Sequence, residues 1–180
     1  MLDSIIKYIL VPEEEIKDIA ARLGKEINRD YADKNLILVC VLKGSLMFTA
    51  DLAKNLDVVC EMEFLRASSY GNATESSGQI KMLLDFDRDD FDQCDFLLIE
   101  DIIDSGNTLS HLVKHLKDKG ARSVKTCTLL DKPSRRKAPI YSDYFGFEVP
   151  DAFIVGYGLD YAEKYRNLPY IGVLKPEIYE

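Results

Sequence analysis

Three short runs constrain the fold more than anything else in the chain. "NLILVCVL" is an almost continuous apolar run rich in Val, Ile and Leu, "CDFLLIE" is a second buried strand candidate, and "SVKTCTLL" gives the next strand. The first lacks the polar alternation of a strand that keeps one face wet. Runs of this kind read as strands covered on both sides, the habit of parallel sheets. The segments around them agree. "PEEEIKDIAARLGKEINRDY" puts Ile16, Ile19, Ala20, Leu23 and Ile27 on one helical face, with acids in the first turn. "SLMFTADLAKNL" predicts a second helix, and "TLSHLVKHLKDKGA" an amphipathic third that ends at Gly120. "VVCEMEFLRASSY" and "QIKMLLDF" begin as strands, with the polar "ASSYGNATESSG" between them as a long functional or disordered loop. "AFIVGYG" and "PYIGVL" predict shorter strands. Alternating strands and helices, with no repeat and no linker, predict one α/β domain over residues 1–180, built on a mostly parallel sheet flanked by helices.

Several functional classes fall away. No apolar run approaches the ~20 residues of a membrane span, and "MLDSIIKYIL" carries an early acid and makes a poor secretory signal. A cytoplasmic location is expected, with no membrane partner. The four cysteines are scattered without a C-x-x-C pair, which argues against zinc. Cys40, Cys60 and Cys127 lie in strand-like runs and read as reduced core residues. The net charge of −8 argues against nucleic acid as a partner. An anionic small ligand remains open if cations or a metal are placed locally. His111 and His115 share a helix face and read as surface or interface residues. "DRDDFD" reads as a solvated turn, and Arg135, Arg136 and Lys137 of "KPSRRK" as a solvated basic run.

Ligands of parallel sheets bind beyond the carboxyl ends of the strands. There the chain places "LLIEDIIDSGNTL". Glu100 and Asp101 arrive at the sheet edge, and a helix starting near Thr108 points free N–H groups and its positive dipole end at "DSGNT". Gly106 permits close backbone approach, and Ser105 and Thr108 add hydroxyl donors, so a phosphate can sit there without a lysine. The string matches neither the P-loop nor the dinucleotide-binding fingerprint. Paired carboxylates suit a vicinal diol, as in ribose, or a magnesium ion. A blander reading has Asp101 or Asp104 capping the helix and Glu100 solvated.

"LLIEDIIDSGNTL" resembles the phosphoribosyl-pyrophosphate (PRPP) motif of the type I phosphoribosyltransferases. "VLKGSLMF", "LLDKPSRR", "FGFEVPDAFIVGYGLDY" and "YRNLPYIGVL" narrow the resemblance to the bacterial hypoxanthine phosphoribosyltransferases, from about Leu36 to Leu174. The resemblance implies that fold, with a small hood formed by the chain termini. It implies transfer of phosphoribose from PRPP to a 6-oxopurine with Mg²⁺, in a dimer or tetramer. It makes Asp104 the general base beside the purine N7, and Ser105, Gly106, Asn107 and Thr108 the 5′-phosphate cradle. Glu100 and Asp101 would bind the ribose hydroxyls with metal nearby, and Asp160 would hold a second Mg²⁺. Lys43, Gly44 and Arg166 would meet pyrophosphate, with a cis peptide between Leu42 and Lys43. Lys132 would donate to the purine O6, Phe153 would stack on the base, and the Ile154 carbonyl would face its exocyclic edge. Ser69 and Tyr70 would ride on a mobile loop. Read alone, Phe153 would pass as core and Asp160 as a plain loop acid. Lys132 follows a buried strand directly, and an ammonium offers only donors, which suits a 6-oxo group and not a 6-amino group. A guanine- or xanthine-preferring relative, or a PRPP-sensing regulator without catalysis, are the competing readings.

Overall fold

The apolar runs form the middle of a six-stranded sheet. The computed structural model describes residues 2–69 and 80–179. Its strands are β1 (Ile6–Val11), β2 (Leu36–Val41), β3 (Cys60–Ser69), β4 (Ile80–Leu84), β5 (Asp95–Ile103), β6 (Ser123–Asp131), β7 (Tyr144–Glu148), β8 (Ile154–Val155) and β9 (Ile171–Leu174). Its helices are α1 (Glu13–Asp30), α2 (Leu46–Ala53) and α3 (Asn107–Asp118). The main sheet runs β4-β3-β2-β5-β6-β7. All its pairs are parallel except β3 with β4. The strand order turns back between β2 and β5, so the switch point of the sheet lies where their carboxyl ends meet.

Side-chain alternation explains why β2 and β5 read as unbroken apolar runs. Leu36, Leu38, Leu97 and Ile99 face a core shared with Ile16, Ile19, Leu23 and Ile27 of α1 and Phe48 and Leu52 of α2. Ile37, Val39, Phe96 and Leu98 face the opposite core, with Leu109, Leu112 and Leu116 of α3. Each fully buried Leu, Ile or Phe contributes roughly 1.5–3 kcal/mol of hydrophobic transfer, and β2 is buried at all six positions. These two strands are therefore the most firmly held part of the sheet, and they end at the site.

Both chain ends meet in a second, antiparallel sheet of order β1-β9-β8, which is the small hood. "MLDSIIKYIL" thus contributes a strand, β1, that sequence reading weighed only as a poor leader. β7 was not expected as a strand either. α2 is shorter than its twelve-residue pattern, and the predicted loop begins later, because Ala67–Ser69 belong to β3 and pair with Met82–Ile80 of β4. Tyr70 lies outside the described residues. α3 closes as expected, with Gly120 at φ +91° after its last turn. No described helix is long and apolar enough to cross a membrane. All four cysteines are free, and Cys94 is buried with Cys40 and Cys127.

Candidate active site

β5 carries Glu100 and Asp101 to the sheet edge and ends at Ile103, so Asp104 opens the turn into α3. The next residues form a backbone cradle. Gly106 precedes α3 at φ +79° and offers no side-chain cap. The Asn107 N–H donates to Ser105 Oγ at 3.3 Å. From below, the N–H groups of Lys137 and Ala138 both donate to the Ser105 carbonyl at 2.9 Å. A pocket of about 80 Å³ opens here, lined by Glu100, Asp104, Ser105, Gly106 and Thr108. A helix N-terminus with uncapped N–H groups and two hydroxyls is a ready anion site.

A larger cavity of about 310 Å³ adjoins it. Asp104 lines both. Lys132, Phe153, Ile154 and Asp160 line the larger one, together with Tyr179. Lys132 is 6% exposed, and its ammonium donates to the Ala152 carbonyl at 2.9 Å. Burial lowers its proton affinity below that of an ordinary lysine, and the nearby Asp104 carboxylate opposes this. Phe153 is 38% exposed and so is not core. Its ring stacks on Tyr179 at 4.9 Å and meets Tyr161 edge-on at 5.4 Å.

The acids of β5 are under electrostatic stress. Burial pushes Asp101 up to about 6, although the Ile102 N–H donates to its Oδ1 at 2.8 Å. Burial first, then the Asp101 carboxylate, pushes Glu100 well above the usual range. Glu100 Oε2 and Asp104 Oδ1 are buried without a hydrogen-bond partner. A buried acceptor left unpaired costs ~1–3 kcal/mol, so these carboxylates are kept at the expense of stability. A carboxyl with a raised folded pKa supports the fold when protonated and loses that support as pH rises through the folded pKa. Asp101→Asn is therefore expected to stabilise the protein by ~2 kcal/mol at pH 7.5 and by nothing near pH 3.5, the difference appearing between about pH 4 and 6. Denaturant melts at both pH values read this directly, and a variant less stable at pH 7.5 would refute the assignment.

Lys43 follows β2 across a cis Leu42–Lys43 bond, as the resemblance implied. Gly44 has no room for a side chain, since a Cβ would lie 1.7 Å from Asp101 Oδ2. Gly158, at φ +101°, would push a Cβ to within 1.9 Å of the Gly44 carbonyl oxygen. The loop after β8 is thus pressed on the loop after β2, and that loop on β5. Lys43 Nζ pairs with Glu163 Oε2 at 2.7 Å. Arg166 pairs with Asp160 at 2.8 Å and donates to the Gly158 carbonyl at 2.7 Å. Asp160 therefore sits with Arg166, and no group of three or more candidate metal ligands stands assembled among the described residues.

Two contributors escaped sequence reading. Arg136, expected to be solvated, is 10% exposed at its side chain. It binds the Asp131 carboxylate and donates to the carbonyls of Asp104 at 3.1 Å and Ile140 at 2.5 Å. Its aliphatic stem lies under Gly106. Tyr179 comes from the end of the chain, where no local pattern marks it. Arg135 does remain half exposed, paired with Asp151 at 2.7 Å. Arg88 of the "DRDDFD" turn is also half-buried rather than solvated, forked onto Asp90 at 2.7 and 2.9 Å, while Asp87, Asp89 and Asp92 are exposed. His115 Nε2 lies 2.9 Å from Asp85 Oδ1, tying α3 to the end of β4.

The doubled-back, mostly parallel sheet with an acidic strand end and a backbone turn into α3 has the architecture of a phosphoribosyltransferase. Residues 10–162 match the phosphoribosyl transferase domain family, and the chain belongs to it. Within that family it belongs with the bacterial hypoxanthine-guanine phosphoribosyltransferases. It is 55% identical to the hypoxanthine-guanine phosphoribosyltransferase of Bacillus subtilis, over 100% of this chain and 99% of that one. It is 51% identical to that of Streptococcus thermophilus, over 99% of each. The crystal structure of a hypoxanthine phosphoribosyltransferase from Staphylococcus aureus superimposes with a TM-score of 0.94 at 45% identity, covering 98% of this chain and 96% of that one.

Proposed function

We propose that the chain, working as one domain, transfers the 5-phosphoribosyl group of PRPP to hypoxanthine, and also to guanine, releasing pyrophosphate. One observation carries this reading. Asp104 stands in the wall shared by the two cavities, with one buried carboxylate oxygen that has no partner. A group in that place can face a base on one side and a sugar phosphate on the other.

The remaining roles follow from the chemistry of each residue. The cradle Ser105–Thr108 holds the 5′-phosphate through N–H groups, hydroxyls and the helix end. Glu100 and Asp101 accept from the ribose hydroxyls, which relieves the strain of two buried carboxylates. Asp104 takes the proton from the purine as the base attacks the anomeric carbon. Lys132 donates to O6 and Phe153 stacks on the ring, with Ile154 at the exocyclic edge. Lys43 and Arg166 offset the negative charge that develops on departing pyrophosphate, with the Gly44 backbone beside it. Ser69 and Tyr70 belong to the segment that excludes water from the reacting sugar.

The acids fit a hard divalent cation. Mg²⁺ favours one or two carboxylates plus substrate phosphates and retained waters over a ready protein cage, and Glu100 and Asp101 supply such a pair, with Asp160 nearby for a second ion. When bound, the metal neutralises charge on the pyrophosphate. Self-association into a dimer or tetramer is supported by the exposed apolar side chains of Leu46, Met47, Met62 and Phe64 on α2 and β3. The reaction would take place in the cytoplasm, with neither nucleic acid nor membrane as partner.

Incubation with PRPP, Mg²⁺ and each of hypoxanthine, guanine, xanthine and adenine tests the assignment by monophosphate formation. Product from hypoxanthine and guanine but not adenine is expected. PRPP binding without product from any oxopurine would leave a PRPP-binding regulator instead. Lys132→Ala is expected to raise the KM for hypoxanthine roughly 10–100-fold, the cost of an unpaired O6. The KM for PRPP should stay within about twofold, and equal losses for both would remove Lys132 from the base pocket.

A further inference from the structure

Glu163 was singled out neither by its sequence context nor by any role assigned above, yet it meets both cations proposed to receive pyrophosphate. Its Oε2 lies 2.7 Å from Lys43 Nζ, and its Oε1 lies 3.5 Å from an Arg166 guanidinium nitrogen. The two cations come from different parts of the fold, one after β2 and the other before β9. A single carboxylate therefore spans the place where a pyrophosphate oxygen would meet both.

The local backbone is committed to this arrangement. Tyr161 and Lys164 exchange N–H···O bonds of 3.1 and 3.0 Å around a two-residue turn. Both turn residues, Ala162 and Glu163, have positive φ, 50° and 65°. Such a turn favours Asn and Gly, and non-glycine residues are held in this region only when the surroundings over-determine them. Here the Glu163 N–H donates to Asp160 Oδ2 at 2.9 Å, while Asp160 Oδ1 holds Arg166. The turn, Asp160 and Arg166 thus form one unit that aims the Glu163 carboxylate at Lys43. The lysine beside it holds that carboxyl below the usual range, as expected for an anion among cations.

We propose that Glu163 is a built-in stand-in for pyrophosphate, a positioning residue that holds Lys43 and Arg166 in place when the subsite is free and competes with the leaving group for them. Binding of pyrophosphate requires Glu163 to give up both cations, and its return speeds release of the product. The carboxylate is about two-thirds exposed, so it can swing into solvent without a burial penalty. The inference rests on the assignment of Lys43 and Arg166 to pyrophosphate.

Calorimetric titration of pyrophosphate into the protein in the presence of Mg²⁺ tests it by sign. Loss of an exposed ion pair changes affinity by up to about fivefold. Glu163→Gln is therefore expected to bind pyrophosphate about fivefold more tightly, with affinity for the nucleoside monophosphate product unmoved. Glu163→Asn, which suits the positive-φ turn and also removes the charge, should do the same. Glu163→Asp should stay nearer the parent protein. A residue that merely braced the loop would weaken binding when removed, so unchanged or weaker pyrophosphate affinity in both uncharged variants overturns the proposal. The underlying assignment has its own readout. Lys43→Ala and Arg166→Ala must each weaken pyrophosphate binding, and if neither does, the subsite is wrong and the stand-in falls with it.

Discussion

Asp104→Asn is expected to lower kcat by about 10²–10⁴-fold, the span attributed to general acid–base catalysis, while PRPP affinity changes by less than about threefold. Asparagine keeps the volume and one acceptor oxygen but cannot take a proton. Asp104 Oδ1 is already buried without a partner, so the fold loses no hydrogen bond there. Steady-state kinetics against both substrates, with a PRPP binding measurement, separate the two quantities. Unchanged turnover would move the base elsewhere, and a parallel loss of PRPP affinity would make Asp104 a sugar-phosphate ligand rather than a base.

Arg136→Ala is expected to cost ~3–5 kcal/mol of stability, as when one member of a buried ion pair is removed. The side chain is 10% exposed, and its partner Asp131 is 16% exposed. Its loss would strand that carboxylate and release the carbonyls of Asp104 and Ile140. Arg136→Lys should recover little, because an ammonium cannot reproduce the planar fork that reaches these acceptors together. Denaturant unfolding gives the stability loss. A KM for PRPP that rises more than the KM for hypoxanthine would show that the damage centres on the Ser105–Thr108 turn. A loss under ~1 kcal/mol would mean that Arg136 is solvated after all.

The contrast between Arg136 and Asp104 shows what local sequence carries. Asp104 sits between a buried apolar strand run and an amphipathic helix, two elements with strong local signatures, so its position at the sheet edge was legible. Arg136 lies in a basic run whose neighbour Arg135 is half exposed. Nothing local distinguishes them, because the Arg136 partners are assembled by the turn after β5 and the end of β6. The same limit hid β1 and β7. β1 gains its pairing from β9 at the far end of the chain, and three of its six residues are exposed, which blurs the pattern. β7 is a short edge strand interrupted by Gly146. Phe153 failed in the other direction. Its apolar neighbours suggested core, whereas the hood leaves one side of its ring to the cavity. Tyr179 depended entirely on where the terminus lies. Periodicity therefore revealed the scaffold and the acidic turn, while contacts that close over the site from distant segments needed the fold.

The tight stacking of Gly44 on Asp101 and of Gly158 on Gly44 has a mechanical meaning. With less than a methyl group of clearance at either contact, the two loops cannot slide past each other or past β5. A displacement of Lys43 must be passed to the segment that bears Asp160 and Glu163, as in a gear train without backlash. The carboxylates at the sheet edge and the cations Lys43 and Arg166 then keep step. Sequence change in one loop is confined to what the other can follow.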